Sequence, residues 1–169
     1  MKNIVTRTVL WVLVVLWMGV IFSFSAENAE ESIETSDSIV DVVVEHLLER
    51  KKDTMSISDF DAFKMKVSHF VRKAAHFTAY MLLGILTLTA LFTHKLKNKA
   101  RSLITLVICF LYAVSDEIHQ IFVPGRAGRF SDVMIDTSGT VLGILTVFGA
   151  ACLIRYFKNK RPLKTKERC

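Results

Sequence analysis

Four apolar runs, each close to the length of a membrane-spanning helix, dominate this chain of 169 residues. They occupy about residues 8–24, 74–92, 102–123 and 133–156. A helix needs roughly 20 apolar residues to cross the ~30 Å hydrocarbon core of a bilayer. Hydrophobic residues make up 51% of the chain, which is more than a soluble domain usually contains. The pattern predicts an all-α integral membrane protein with four transmembrane helices.

The first run has an alternative interpretation as a secretory signal peptide. Lys2 and Arg7 precede it, and residues 23–26 resemble a small-residue cleavage site. We favour a retained span because the run is long and because the other segments fit an even number of crossings.

The basic residues are unevenly distributed along the chain, and this distribution predicts the orientation. Of the 22 lysines and arginines, two precede the first run, four lie in the 93–101 loop and seven follow from Arg155 onward, where Glu167 is the one acid. Short cytoplasmic loops are rich in lysine and arginine. We therefore expect a multi-pass protein of the cell membrane with both termini in the cytoplasm. The same segregation argues against a nucleic-acid partner and leaves anionic lipids as the simpler contact of the basic tail.

The domain division follows from these runs. We expect a membrane domain at residues 8–157, with an extracytoplasmic helical insertion at 26–71, and a basic cytoplasmic tail at 158–169. Within the insertion, apolar residues recur at helical spacing from residue 39 to residue 48. A second helix is predicted from about Ser58, and no helix breaker separates it from the second run. Cys109 and Cys152 fall inside spans and Cys169 ends the tail, so no extracytoplasmic disulfide is expected.

Polar residues in regular register mark the extracytoplasmic ends of the second, third and fourth spans. In the second span His69, Lys73, His76, Tyr80 and Gly84 follow one another at steps of four, three, four and four residues, which places them on one face of a helix. A polar stripe entering the bilayer favours a functional role over a purely structural one.

The third span contributes two acids and a histidine near its end. Asp116, His119 and Gln120 share a helical face, and Glu117 adjoins them. Charges at this depth are costly and need partners, and pairing with Lys73 or Arg126 is the structural alternative.

The loop after the third span and the start of the fourth complete the set. Arg126 lies between small and turn-forming residues that leave room beside its guanidinium group. Asp136 lies one helical turn inside the fourth span, after Asp132. Gly139 and Gly143 on the same helix suit close helix packing.

The charges at this end balance. Four cations face four acids: Arg72, Lys73, Arg126 and Arg129 against Asp116, Glu117, Asp132 and Asp136. A dedicated metal site would have an excess of carboxylates, so neither a metal nor another cofactor is expected. Arginine suits phosphate or carboxylate groups, and a polar pocket for lipid headgroups fits the set better.

These motifs resemble the VanZ-like family of bacterial membrane proteins. The matching sequences are RKAAHF at residues 72–77, SDEIHQ at 115–120, VPGR at 123–126 and DVMIDTSG at 132–139, and the similarity covers about residues 8–155. The resemblance implies a small four-helix membrane protein, in a family named for a member linked to teicoplanin resistance. It implies no particular reaction.

The favoured hypothesis is an outer-leaflet pocket that binds a lipid headgroup or a cell-envelope precursor, with lowered glycopeptide susceptibility as a further expectation. Membrane lipids, a cell-wall precursor or a glycopeptide are the expected partners. The alternatives are an enzyme acting on a lipid headgroup, with His76 or His119 as acid–base group and Arg126 holding phosphate, and a purely structural polar core. The candidate catalytic or ligand-binding residues are Lys73, His76, Tyr80, Asp116, Glu117, His119, Gln120, Arg126, Asp132 and Asp136.

The orientation can be tested by cysteine labelling in intact cells after the native cysteines have been replaced. A membrane-impermeant thiol reagent should label Met55→Cys in the predicted extracytoplasmic insertion and should spare Asn98→Cys in the basic loop. Labelling of Asn98→Cys with protection of Met55→Cys would require the opposite orientation.

Overall fold

Four long helices form the structure. The computed structural model describes residues 2–26, 40, 42, 57–124 and 128–160, and within these ranges it contains no strand. The four helices, numbered in chain order, are α1 (Lys2–Ala26), α2 (Ile57–Phe92), α3 (Asn98–Gln120) and α4 (Phe130–Lys160). All four are long and apolar enough to cross a membrane. The predicted all-α fold with four transmembrane helices is confirmed.

Helix α2 is longer than a bilayer requires. Its 36 residues span about 54 Å at 1.5 Å per residue, whereas the hydrocarbon core is ~30 Å thick. The expected continuity of this helix into the second apolar run is confirmed. Part of α2 therefore extends beyond the hydrocarbon core.

The insertion predicted at residues 26–71 is described only in part. Val40 and Val42 are helical; Val40 is fully buried and Val42 is 67% exposed. Four partly buried side chains of α2 pack against Val40, namely Phe60, Phe63, Val67 and Val71. Residues 39, 43, 47 and 48 of the predicted apolar stripe lie outside the described residues.

Helix α2 lies at the centre of the bundle. It packs against α1, α3 and α4, and its interface with α4 is the most extensive in the structure. The outward surfaces of the helices are apolar, as Leu16 (61% exposed) and Leu145 (61% exposed) illustrate. Such surfaces suit hydrocarbon and would be unfavourable in water.

The short α2–α3 connection marks one end of the bundle, which we call the basic end. Arg101 donates a hydrogen bond from Nε to the carbonyl of Leu91 in the last turn of α2 (3.2 Å) and another from Nη2 to the carbonyl of His94 in the connection (2.9 Å). Arg7 and Trp11 of α1 contact the His94 ring on opposite nitrogens, at 2.9 and 3.1 Å. The start of α1 therefore lies at the basic end, and the polar residues of the sequence motifs lie at the other end, which we call the site end.

Two glycines allow α2 and α4 to approach at backbone distance. A Cβ atom added to Gly139 would collide with the carbonyl oxygen of Phe77, and one added to Gly143 would collide with the carbonyl oxygen of Met81. The two glycines are four residues apart, so the contact runs along one face of α4 over a full turn. The packing role expected for these glycines is confirmed.

Alanine substitutions should measure this contact. Gly139→Ala and Gly143→Ala each place a methyl group against a backbone carbonyl that no rotamer change can move, so we expect a loss of about 1–3 kcal/mol in unfolding free energy. Gly149→Ala on the same helix is the matched control, because a Cβ there meets nothing within 4 Å.

The measurement is reversible unfolding of the purified protein in detergent. Gly149→Ala should be neutral or slightly stabilising, since alanine favours a helix over glycine by about 1 kcal/mol. Equal effects of all three substitutions would contradict the close-packing role.

Candidate functional site

A polar cavity of about 220 Å³ lies at the site end between α2, α3 and α4. Its walls are His69, Arg72, Lys73, His76, Glu117, Gln120, Arg129, Asp132, Ile135 and Asp136. The four α2 residues span two turns on one face, and the three α4 residues span a single turn, as helical spacing predicts. The cavity is smaller than the ~300–1,000 Å³ of pockets for drug-sized ligands, so its volume suits a small chemical group.

The glycine contact determines where the cavity ends. His76 and Phe77 are neighbours on α2, and Asp136 precedes Gly139 by three residues on α4. The backbones touch at Gly139, so no space remains between α2 and α4 below this level. His76 and Asp136 therefore lie at the inner end of the cavity.

Lys73 and Asp132 form an ion pair across the cavity wall. The Lys73 Nζ atom lies 2.6 Å from Asp132 Oδ1, and the two side chains are 28% and 25% exposed. Ser131 also donates a hydrogen bond to Asp132 Oδ1, at 3.2 Å. In the structural alternative, Lys73 would pair with Asp116 or Glu117 of α3. The lysine pairs instead with Asp132 of α4.

Asp116 is buried among uncharged hydrogen-bond donors. It is 2% exposed, and its Oδ2 atom accepts hydrogen bonds from Ser25 Oγ (2.7 Å) and from Gln120 Nε2 (3.3 Å). Its Oδ1 atom has no hydrogen-bond partner among the described residues. His76 is close enough to act on Asp116 electrostatically. Asp116 thus joins α1 to α3 through Ser25 behind the cavity wall.

Ser25 is the site-end residue that the sequence analysis missed. It belongs to the small residues that resemble a signal-peptide cleavage site, and this resemblance gave no indication that Ser25 bonds to Asp116. One signal was available: α1 and α3 cross the bilayer in the same direction, so a serine near the end of α1 lies at the depth of an aspartate near the end of α3.

Glu117 holds the loop end in place. Its Oε2 atom accepts a hydrogen bond from the backbone N–H of Arg129, at 2.8 Å. A Cβ atom on Gly128 would collide with the carbonyl oxygen of Glu117, so the chain before α4 passes directly over the end of α3. This contact positions the exposed side chain of Arg129 at the cavity.

Asp136 and Tyr80 are deeply buried polar residues at the inner end of the site. They are 1% and 0% exposed, and Asp136 Oδ2 and the Tyr80 hydroxyl have no hydrogen-bond partner among the described residues. Tyr80 lies within electrostatic range of both Asp116 and Asp136. Buried polar atoms without partners are costly, and Asp136, which lines the cavity, can accept a hydrogen bond from a bound group.

His119 is not among the described residues that line the cavity. The His119 ring packs on Phe22 of α1, with ring centroids 4.4 Å apart, and its Nδ1 atom is buried without a partner. The assignment of His119 as a catalytic or ligand-binding residue stays a prediction. Arg126 lies outside the described residues.

The charged groups of the cavity differ in whether they have an ion-pair partner. Lys73 has a carboxylate partner, whereas Arg72 and Arg129 form no ion pair with any carboxylate of the described chain. Two guanidinium groups beside a small cavity can hold a phosphate or carboxylate by paired hydrogen bonds. In the described part of the chain, no three His, Cys, Asp or Glu side chains are arranged to hold a metal ion.

Comparison with known proteins gives the family. Neither a curated protein nor a solved structure matches the chain. The family model described as VanZ/LLP1 matches residues 10–155, which include all of α2 and α3, most of α1 and α4, and every residue that lines the cavity. The chain therefore belongs to the VanZ/LLP1 family.

Proposed function

We propose that this membrane protein binds the phosphate-bearing headgroup of a membrane lipid or cell-envelope precursor in the cavity at its site end. The observation that carries the proposal is the pair of arginines, Arg72 and Arg129, which line the cavity without a carboxylate partner among the described residues. A phosphate group would supply that partner. Lipid phosphates are abundant at the depth where a bilayer places the ends of transmembrane helices.

The size of the cavity supports a headgroup over a larger ligand. A volume of about 220 Å³ is too small for a whole glycopeptide or a complete lipid-linked precursor, whereas a phosphate with a few attached atoms fits. The acyl chains would remain in the bilayer beside the apolar helix faces. Lowered teicoplanin susceptibility would then follow indirectly, because bound headgroups or precursors are less available at the membrane surface.

The distribution of cations supports an outward-facing cavity. Arg7, Lys95 and Arg101 lie at the basic end, opposite the cavity, and the described end of α4 adds Lys158 and Lys160. Cations on short loops favour the cytoplasmic side. The proposal therefore places both termini in the cytoplasm and the cavity at the outer leaflet.

A second candidate function is enzymatic, and the position of His76 favours it. His76 lines the cavity and lies within electrostatic range of the buried carboxylate of Asp116, an arrangement that suits acid–base chemistry on a bound headgroup. An enzyme should convert a phospholipid in proteoliposomes into a new product, and His76→Gln should lower that rate about 100-fold or more. An unchanged lipid composition after prolonged incubation favours the binding function.

Loss of either arginine should weaken headgroup binding. A hydrogen bond to a charged group contributes about 1.5–3 kcal/mol, so Arg72→Gln and Arg129→Gln should each reduce phospholipid affinity roughly tenfold or more. Arg129→Lys should restore only part of the affinity, since lysine lacks the two-pronged guanidinium geometry. Native mass spectrometry of the purified protein with added phospholipid gives the bound fraction.

Two controls separate binding from folding. Arg155→Gln removes an exposed cation at the opposite end of α4 and should leave the bound fraction unchanged. Asp132→Asn removes the partner of Lys73 and should lower the unfolding temperature more than Arg129→Gln does. Wild-type lipid binding in both arginine variants would contradict the proposed phosphate site and would indicate that the arginines have only a structural role.

A further inference from the structure

The cavity carries charges of opposite sign at different depths. Arg129 is exposed and Arg72 is half-buried, so their guanidinium groups lie toward the opening. Asp136 lines the same cavity and is 1% exposed, so its carboxylate lies at the floor. A ligand that enters from the opening meets cations first and a carboxylate last.

Asp136 has no lysine or arginine partner among the described residues. The lysine and arginines that line the cavity are Arg72, Lys73 and Arg129, and none of them forms an ion pair with Asp136. Lys73 is already hydrogen-bonded to Asp132 at 2.6 Å.

Asp136 also has an open hydrogen-bonding position. Its Oδ2 atom is buried and has no partner among the described residues, and the Tyr80 hydroxyl one turn below His76 is likewise buried without one. A carboxylate removed from water needs a donor, and a positively charged donor compensates it best. An N–H group that carries positive charge would supply both the missing hydrogen bond and the missing cationic partner.

We infer that the ligand is a zwitterionic phospholipid with a primary ammonium group, its phosphate held by Arg72 and Arg129 and its ammonium by Asp136. The inference rests on the proposed headgroup site and names the class of lipid that the site selects. A phosphoethanolamine headgroup has the two charges in this order, with the ammonium at the far end from the acyl chains. A quaternary choline group has no N–H to donate, and an anionic phosphoglycerol headgroup brings no cation to the floor.

The test compares lipids that differ at the amine alone. The full chain is purified in detergent and mixed with dioleoyl phosphatidylethanolamine, its N-monomethyl and N,N-dimethyl forms, phosphatidylcholine and phosphatidylglycerol; native mass spectrometry measures each bound fraction. Affinity should fall stepwise with methylation, and phosphatidylcholine and phosphatidylglycerol should bind about tenfold more weakly than phosphatidylethanolamine.

A floor variant assigns the preference to Asp136. Asp136→Asn should lower phosphatidylethanolamine binding about tenfold, to the level of phosphatidylcholine, and should leave phosphatidylglycerol binding no weaker than in the wild type. Asp59→Asn, an exposed carboxylate near the start of α2, is the charge-matched control and should keep the full preference. If Asp136→Asn does not fold, the methylation series on the wild-type protein still decides the inference.

The outcomes separate this inference from the proposed function. Equal binding of phosphatidylethanolamine, phosphatidylcholine and phosphatidylglycerol would overturn the inference and leave a phosphate site in place. Binding of none of them would overturn both. Soluble phosphoethanolamine should compete only at concentrations far above those of the lipid; competition at equal concentration would overturn the assignment to a lipid and indicate a free phosphate ester.

Discussion

The backbone contact between α2 and α4 determines the geometry of the site. Because Gly139 and Gly143 bring α4 against the carbonyl groups of α2, the helix axes are close below the cavity and the side chains above must fill or border the remaining space. Lys73 and Asp132 meet across that space at 2.6 Å. A bulkier residue at Gly139 would separate the helices and lengthen that ion pair, although it touches none of the charged groups. The packing of α4 against α2 therefore also determines the geometry of the site.

The polar groups of the site end differ in whether they have hydrogen-bond partners, and this difference indicates function. Asp116 receives hydrogen bonds from Ser25 and Gln120, and Glu117 receives one from the backbone of Arg129. These contacts join α1, α3 and the start of α4, and they explain why acids persist at a depth where insertion is costly. Asp116 Oδ1, Asp136 Oδ2 and the Tyr80 hydroxyl have no hydrogen-bond partner in the described part of the chain. Of these three residues, Asp136 lines the cavity, so it is the one that a ligand there can contact.

Most of the fold and much of the site wall could be predicted from the sequence. Length and apolarity suffice for four helices, and helical spacing places His69, Lys73 and His76 on the face of α2 that lines the cavity. Spacing gives the relative phase of residues on one helix but not the rotation of that helix against its neighbours. For this reason spacing alone could not show that Lys73 pairs with Asp132 of α4, or that the His119 ring packs on Phe22 of α1. Ser25 was missed because its partner lies 91 residues away.

The order of charges along the cavity follows from position along the helices and from the lengths of the side chains. Arg129 precedes α4 and Asp136 lies inside it, so the arginine is nearer the end of the bundle. The long, flexible stem of Arg72 lets its guanidinium group reach toward the membrane surface from a backbone that lies deeper. Aspartate has one methylene group, so Asp136 must keep its charge at the depth of its own backbone. A helix pair that carries arginines and aspartates near one end therefore places cations outside and carboxylates inside. In a phosphoethanolamine headgroup the ammonium group lies beyond the phosphate, as seen from the acyl chains. The headgroup therefore matches this order of charges when it bends inward between the helices. The cavity between α2, α3 and α4 provides the space for that conformation.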